Sequence, residues 1–242
     1  MKMKSMFVAA ALVAVGTAGV ASATLESKDV AYWAFNNEPL PGGGFGYQPG
    51  VFPLAAGFGN QAGVATVSVV GGITGETIVN NNGDTVFRWI QSFAGTTQNA
   101  QYGEPSGGSL AIQGGTDTLN NGAQIVINFD ASEKKDLNFS FAAQRTATGF
   151  NDVSIAAFSG GSFLGNIATS LNFPTSFATF SFDASILDGL SDAQIVFTLN
   201  GAGAATGNNR YDNFFITGAV IPTPGAIALA GLAGLVGVRR RR

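Results

Sequence analysis

The middle of the chain alternates. Leu137-Asn138-Phe139-Ser140-Phe141 and Thr179-Phe180-Ser181-Phe182-Asp183 place apolar and polar residues at a period of two. Successive side chains of an extended strand point to opposite faces, so this pattern builds half-buried β-strands, not an amphipathic helix. Gln194 to Asn200, Ala123 to Phe129, Val153 to Phe158, Val64 to Val70 and Val86 to Ile90 are further short β-branched or aromatic runs. Val30 to Phe35 and Tyr211 to Thr217 bracket them. Turn signals fall between, among them Asn80 to Asp84, Gly114-Gly115, Asn120 to Gly122, Gly160-Gly161 and Asn200-Gly201. Strands at this spacing, about ten in all, predict an all-β fold, a two-sheet antiparallel β-sandwich forming one domain. Ala184 to Leu190 is the single predicted helical turn. No βαβ alternation occurs, which excludes a Rossmann-type fold. Gly42 to Gly63 is rich in Gly, Pro and Phe and is expected to cover a sheet edge.

Such a fold needs a core, because the chain has no Cys to cross-link it. It also has no His. Ser-His-Asp triads, Cys-His dyads, thiolate zinc sites and His-ligated metals are therefore excluded within the chain. Carboxylates are the strong acid/base groups that remain. A glycosidase needs two of them about 5–9.5 Å apart. Glu104, Asp183, Asp188 and Asp192 are the candidates, and nothing in the sequence sets a pair across one cleft. The chain is read as non-enzymatic, with a glycoside hydrolase the weaker alternative. Gly42 to Gly46 is not followed by Lys-Ser/Thr, so it is no phosphate loop.

Both ends read as addresses. Lys2 and Lys4, an apolar run from Met6 to about Val20, and Ala21-Ser22-Ala23 form the three parts of a secretory signal peptide, with cleavage after Ala23. The alternative is an N-terminal anchor that stays attached. At the other end Pro222-Thr223-Pro224-Gly225 breaks regular structure, Ala226 to Val238 is apolar, and Arg239, Arg240, Arg241 and Arg242 close the chain. An apolar helix stopped by arginines is a stop-transfer pattern with the arginines in the cytoplasm. Pro224 to Val238 gives about 22 Å of helix at ~1.5 Å per residue, short of the ~30 Å hydrocarbon core. The expected short transmembrane helix is a transient anchor. The chain thus divides into a signal peptide (1–23), a β-sandwich domain (24–220) and a sorting tail (221–242). The domain holds all 15 acids and six bases, a net charge of −9. That excludes nucleic acid and anionic membrane surfaces as partners.

The signal peptide, Pro-x-Pro motif, apolar helix and terminal arginines resemble the PEP-CTERM sorting signal. Here Pro222-Thr223-Pro224 replaces the usual Pro-Glu-Pro. The resemblance covers about the last 22 residues. It implies processing by exosortase, an integral-membrane cysteine protease, in a Gram-negative bacterium that makes extracellular polysaccharide and biofilm. The implied partners are that protease, the secretion translocon, the inner membrane transiently, and extracellular polysaccharide.

The domain resembles a jelly-roll module at its two ends. Ala31-Tyr32-Trp33-Ala34-Phe35-Asn36 opens it and Asn209 to Gly218 closes it, as in many carbohydrate-binding modules. The resemblance implies first and last strands lying close together. No cofactor is required. One structural calcium joining those strands is implied, with Asp212 as a ligand and Glu26, Asp29 or Asn36 as partners. Tyr47 and Tyr102 lie in loops and are the candidates to stack on sugar rings, whereas Trp33 and Trp89 sit in strand-like runs and read as core. The leading expectation is a secreted, non-enzymatic surface or extracellular-matrix protein. The alternative is a carbohydrate-binding module adhering to matrix or nutrient glycans.

Overall fold

The computed structural model describes residues 28–36 and 46–221. The signal peptide with Ala21 and Ala23, Glu26, the sorting motif Pro222 to Gly225, the apolar tail and its arginines lie outside the described residues. Among those described, the regular structure is antiparallel β, with two short 3-10 turns at Thr116–Thr118 and Ser185–Leu187. The second turn is the helical turn expected at Ala184 to Leu190, shortened. In the first sheet the order is β12 (Ala178–Asp183), β9 (Lys134–Arg145), β14 (Asn208–Val220), β7 (Gly108–Gln113) and β6 (Ile90–Ala94), with β1 (Asp29–Trp33) also pairing β14. In the second the order is β11 (Ser162–Leu171), β10 (Asp152–Ser159), β13 (Ala193–Asn200), β8 (Ala123–Phe129), β3 (Thr66–Val70) and β2 (Leu54–Ala55). A separate hairpin joins β4 (Thr77–Val79) to β5 (Thr85–Phe87).

The alternation decides what faces inward. Phe139 and Phe141 of β9 are buried, and they pair in register with Phe182 and Phe180 of β12. In the second sheet, Ile125, Ile127 and Phe129 of β8 and Ile195, Phe197 and Leu199 of neighbouring β13 join them in one continuous core. Phe197 stacks on Phe214 of β14 at 5.6 Å, joining the two sheets. The architecture is therefore a β-sandwich of two six-stranded antiparallel sheets. Trp33 and Trp89 are buried.

β1 lies against β14, with Asp29 opposite Thr217 and Trp33 opposite Phe214. First and last strands are thus neighbours. The described part of the Gly-rich loop reaches both sheets. Leu54–Ala55 adds an edge to the second, and Gly46 bridges to Gln91 at the edge of the first. The run Val86 to Ile90 differs from expectation. It is split between the hairpin strand β5 and the sheet strand β6. Arg88 and Trp89 at the corner both donate to Glu76, at 2.8 and 2.6 Å. Those bonds turn the chain out of one sheet and into another.

Candidate functional site

The site begins in the middle of β14. Register against β9 slips between Asp212 and Phe215. Asn213 takes a φ of +53°, a conformation that Asn tolerates better than most residues. This bulge buries the Asp212 and Asn213 side chains completely. Asp212 Oδ2 accepts from the Thr96 N–H at 2.7 Å, and Oδ1 from the Asn213 N–H at 2.9 Å. Asn213 Nδ2 donates to the carbonyls of Thr96 and Gln98 at 2.8 and 2.9 Å. The Tyr32 hydroxyl donates to Asn213 Oδ1 at 2.6 Å and accepts from the Gln101 N–H at 3.2 Å. Two buried polar residues of the last strand therefore hold the segment 96–101.

That segment presents Tyr102. The residue is 49% exposed and its ring stacks on that of Phe58, a residue 36% exposed, with centroids 4.8 Å apart and planes 15° from parallel. Tyr32 lies beneath both, edge-on to Tyr102 at 5.6 Å and tilted against Phe58 at 6.0 Å. The Tyr102 hydroxyl donates to Asp29 Oδ2 at 2.6 Å. Burial, then the Asp29 carboxylate, pushes the Tyr102 hydroxyl well above its ordinary range. Burial pushes Tyr32 up to about 12. Both phenols are neutral across the physiological range. The result is a two-ring aromatic ledge fixed from behind by a buried hydrogen-bond network.

The other predicted residues separate. Tyr47 is 1% exposed, packed on Phe52 at 5.4 Å, with its backbone bonded to Ile90 and Phe87. Its ring is core, which corrects the expectation that it stacks on sugars. Its flanking glycines read as a free loop, but Gly46 instead brings the chain tightly against Val86 and Phe87. Asp29 opens the first strand and is engaged by Tyr102, whereas Asn36 lies three residues beyond the strand's other end. Asn36 Nδ2 donates to Glu104 Oε2 at 3.0 Å and to the Pro105 carbonyl at 2.8 Å.

Asn36 and Asp212 do share surroundings, the segment 104–108. A side chain on Gly107 would strike Asn36 Oδ1, and one on Gly95 would strike Asp212 Oδ2 and the carbonyls of Ser106 and Gly108. Asn36 Oδ1 is buried with no hydrogen-bond partner. Burial pushes the Asp212 carboxyl up to about 8, against the pull of its two N–H donors. Among the described residues no cationic side chain pairs with it. Neighbouring Arg210 instead lies over the Phe93 ring at 4.9 Å. Among the described residues no three acids gather as a metal site, so any cation here would rely on amide and carbonyl oxygens. An orphaned acceptor and a buried carboxyl with no cationic partner among the described residues are a donor set suited to a hard cation.

Three of the acids weighed for hydrolysis have separate hydrogen-bond partners. Glu104 accepts from Asn36, Asp183 caps Ser185 at 2.8 Å, and Asp188 accepts from the N–H groups of Asp136 and Leu137. Sequence reasoning missed Phe58 and Asn213. The adjacent Asp212-Asn213 inside an apolar strand was the available signal, since buried polar neighbours need partners from elsewhere.

No protein-family model matches the chain, and no curated protein does. Among solved structures it is similar to the CBM22-1 xylan-binding domain of Xyn10C from Paenibacillus barcinonensis, with 11% identity over 83% of this chain and 100% of that one, at a TM-score of 0.43. It is similar to TmCBM61 in complex with β-1,4-galactotriose, with 8% identity over 63% and 88% of the two chains and a TM-score of 0.36. A family 6 carbohydrate-binding module matches with 16% identity over 63% and 94%, at a TM-score of 0.34. These neighbours are carbohydrate-binding modules. Likeness this distant assigns neither family nor ligand, and the architecture stands on the sheets themselves.

Proposed function

We propose that the chain is an exported, non-catalytic protein of the cell surface or extracellular matrix whose jelly-roll domain contacts glycan through the Tyr102–Phe58 ledge. The exposed, rigidly backed ring stack is the observation that carries this reading. The C–H face of a pyranose packs on an aromatic face, and a ring held in place loses little entropy on binding. Asp29 and Glu104 beside it accept from sugar hydroxyls. A glycan array probed with the exported protein tests it. Binding should fall in Tyr102→Ala and in Phe58→Ala, and binding undiminished by either substitution overturns the assignment.

Export and sorting rest on the two ends of the sequence. The signal peptide directs the chain to the translocon, the tail lodges in the inner membrane, and an exosortase processes it near Pro222 to Pro224. Fractionation with antibody to the domain, with mass spectrometry of its C-terminus, tests this. Intact tail in purified surface material would count against processing.

A calcium ion fits this reading. Asp212, Asn36 Oδ1 and the carbonyls of Ser106 and Gly108 would hold it, and Asp29 would not. Bound there, the ion would fix the segment that presents Tyr102. Calcium should raise Tm in the wild type and not in Asp212→Ala.

A further inference from the structure

At the far end of the second sheet an open recess of about 440 Å³ lies between the ends of β8 and β13 and the turn joining β10 to β11. Asn128 and Gln194 form its floor. They are in register across the two strands, and Gln194 Nε2 donates to Asn128 Oδ1 at 2.8 Å. The bond locks both amides and directs Gln194 Oε1 and the Asn128 NH₂ group to further partners. Asp130 and Asp192 stand on the rim. Asp130 Oδ1 takes the Ser132 N–H at 2.8 Å, while Gln61 clamps the Asp130 backbone on both its N–H and its carbonyl. The opposite wall is the Gly160-Gly161 turn, with φ of +54° and +78° and open space where side chains would stand.

The recess opens onto the outer face of the sheet. No residue of Thr66–Val70, Gln124–Asn128, Gln194–Thr198 or Ser154–Phe158 is charged. This is unusual in a domain of net charge −9. Phe158 adjoins Gln194 in register and meets the exposed Phe163 ring at 5.5 Å. Locked amides, rim carboxylates and a flanking apolar strip match a ligand that presents many hydroxyls and no charge. Hydroxyls donate to the carboxylates and accept from the amide NH₂, while an anion is repelled by the rim.

We propose that this recess is a second binding site, one that takes the end of a neutral oligosaccharide. The inference rests on the glycan-contact reading above but not on its aromatic ledge.

The test is amide NMR of the ¹⁵N-labelled full chain recovered after export. The probes are cellotetraose, xylotetraose, mannotetraose and β-1,4-galactotetraose, with tetragalacturonate as the anionic counterpart. At least one neutral probe should shift the side-chain amides of Asn128 and Gln194. Gln194→Ala should weaken that binding by roughly tenfold, the effect of one lost hydrogen bond. Asp192→Asn, an isosteric change on an exposed loop, should do likewise without altering the rest of the spectrum. Tyr102→Ala, at the ledge, should leave the shifts of the Asn128 and Gln194 side-chain amides in place. Shifts confined to residues around Tyr102 and Phe58 would overturn the recess and leave the ledge standing. No shift with any neutral probe, or equal shifts with tetragalacturonate, would overturn the proposal.

Discussion

At Gly95 a hydrogen is the largest substituent that fits. A methyl group would run into two carbonyl oxygens and the Asp212 carboxylate, and backbone cannot retreat as a flexible side chain can. Gly95→Ala should destabilise the domain by about 1–3 kcal/mol, the usual cost of overpacking, measured by urea denaturation. Gly160→Ala meets open space and only the strain of its positive φ. Asp212 makes a prediction of a different kind. Its carboxyl is ordinarily near 3.8 and is pushed up to about 8 in the fold. The folded protein therefore binds the proton more tightly than the unfolded chain does. The stabilising contribution is complete below about pH 4 and is lost as pH rises towards about 8. In chelator, wild-type stability should fall across that window relative to Asp212→Asn, as followed by Tm against pH. A flat difference between the two proteins would refute the shift. Tyr102 could be named as a candidate from its place in a loop, and Asp212 from the resemblance of the closing strand to those of jelly-roll modules. Tyr47 was misread because exposure in a Gly-rich loop depends on what the loop packs against, which local sequence does not encode.

Strands with strict alternation could be read directly. β8, β13 and β12 follow the periodic runs closely, since one face of each packs on the core and the other does not. β7 was missed because Gly108-Ser109-Leu110-Ala111-Ile112 is buried on both faces for most of its length and does not alternate. β11 was missed for the opposite reason, being an edge strand with exposed Phe163 and Leu164. Within β9, Phe141 is the aromatic hub. Its ring meets those of Phe173, Phe180, Phe197, Tyr211 and Phe214 at 5.2–6.4 Å. Phe141→Ala should cost about 3–5 kcal/mol, read from the shift in urea midpoint. Phe163→Ala on the exposed edge should stay within about 0.5 kcal/mol.

The domain stands without disulfides and, among the described residues, with two ion pairs. Among the described residues the ion pairs are the exposed Arg88–Glu76 at 2.8 Å and the looser Lys135–Asp136 at 4.0 Å. Exposed pairs of this kind contribute little, so stability rests on the core between the sheets. Most strand pairings join distant parts of the chain, and β1 with β14 spans nearly all of the described residues. Refolding followed by Trp33 and Trp89 fluorescence should therefore take milliseconds to seconds. The pairing of β1 with β14 also has a mechanical side. Lys28 and Gly218 are bonded at the end of the ladder where both strands join the rest of the chain, with the Gly218 N–H 2.7 Å from the Lys28 carbonyl. Tension applied between the two ends of the domain loads that bond and the Ile221–Glu133 bond first, and then the next in turn. The ladder opens like a zipper instead of shearing as a unit. In a force spectrometer the domain should yield at low load when pulled from its ends, and resist more strongly when pulled along the strands through other attachment points.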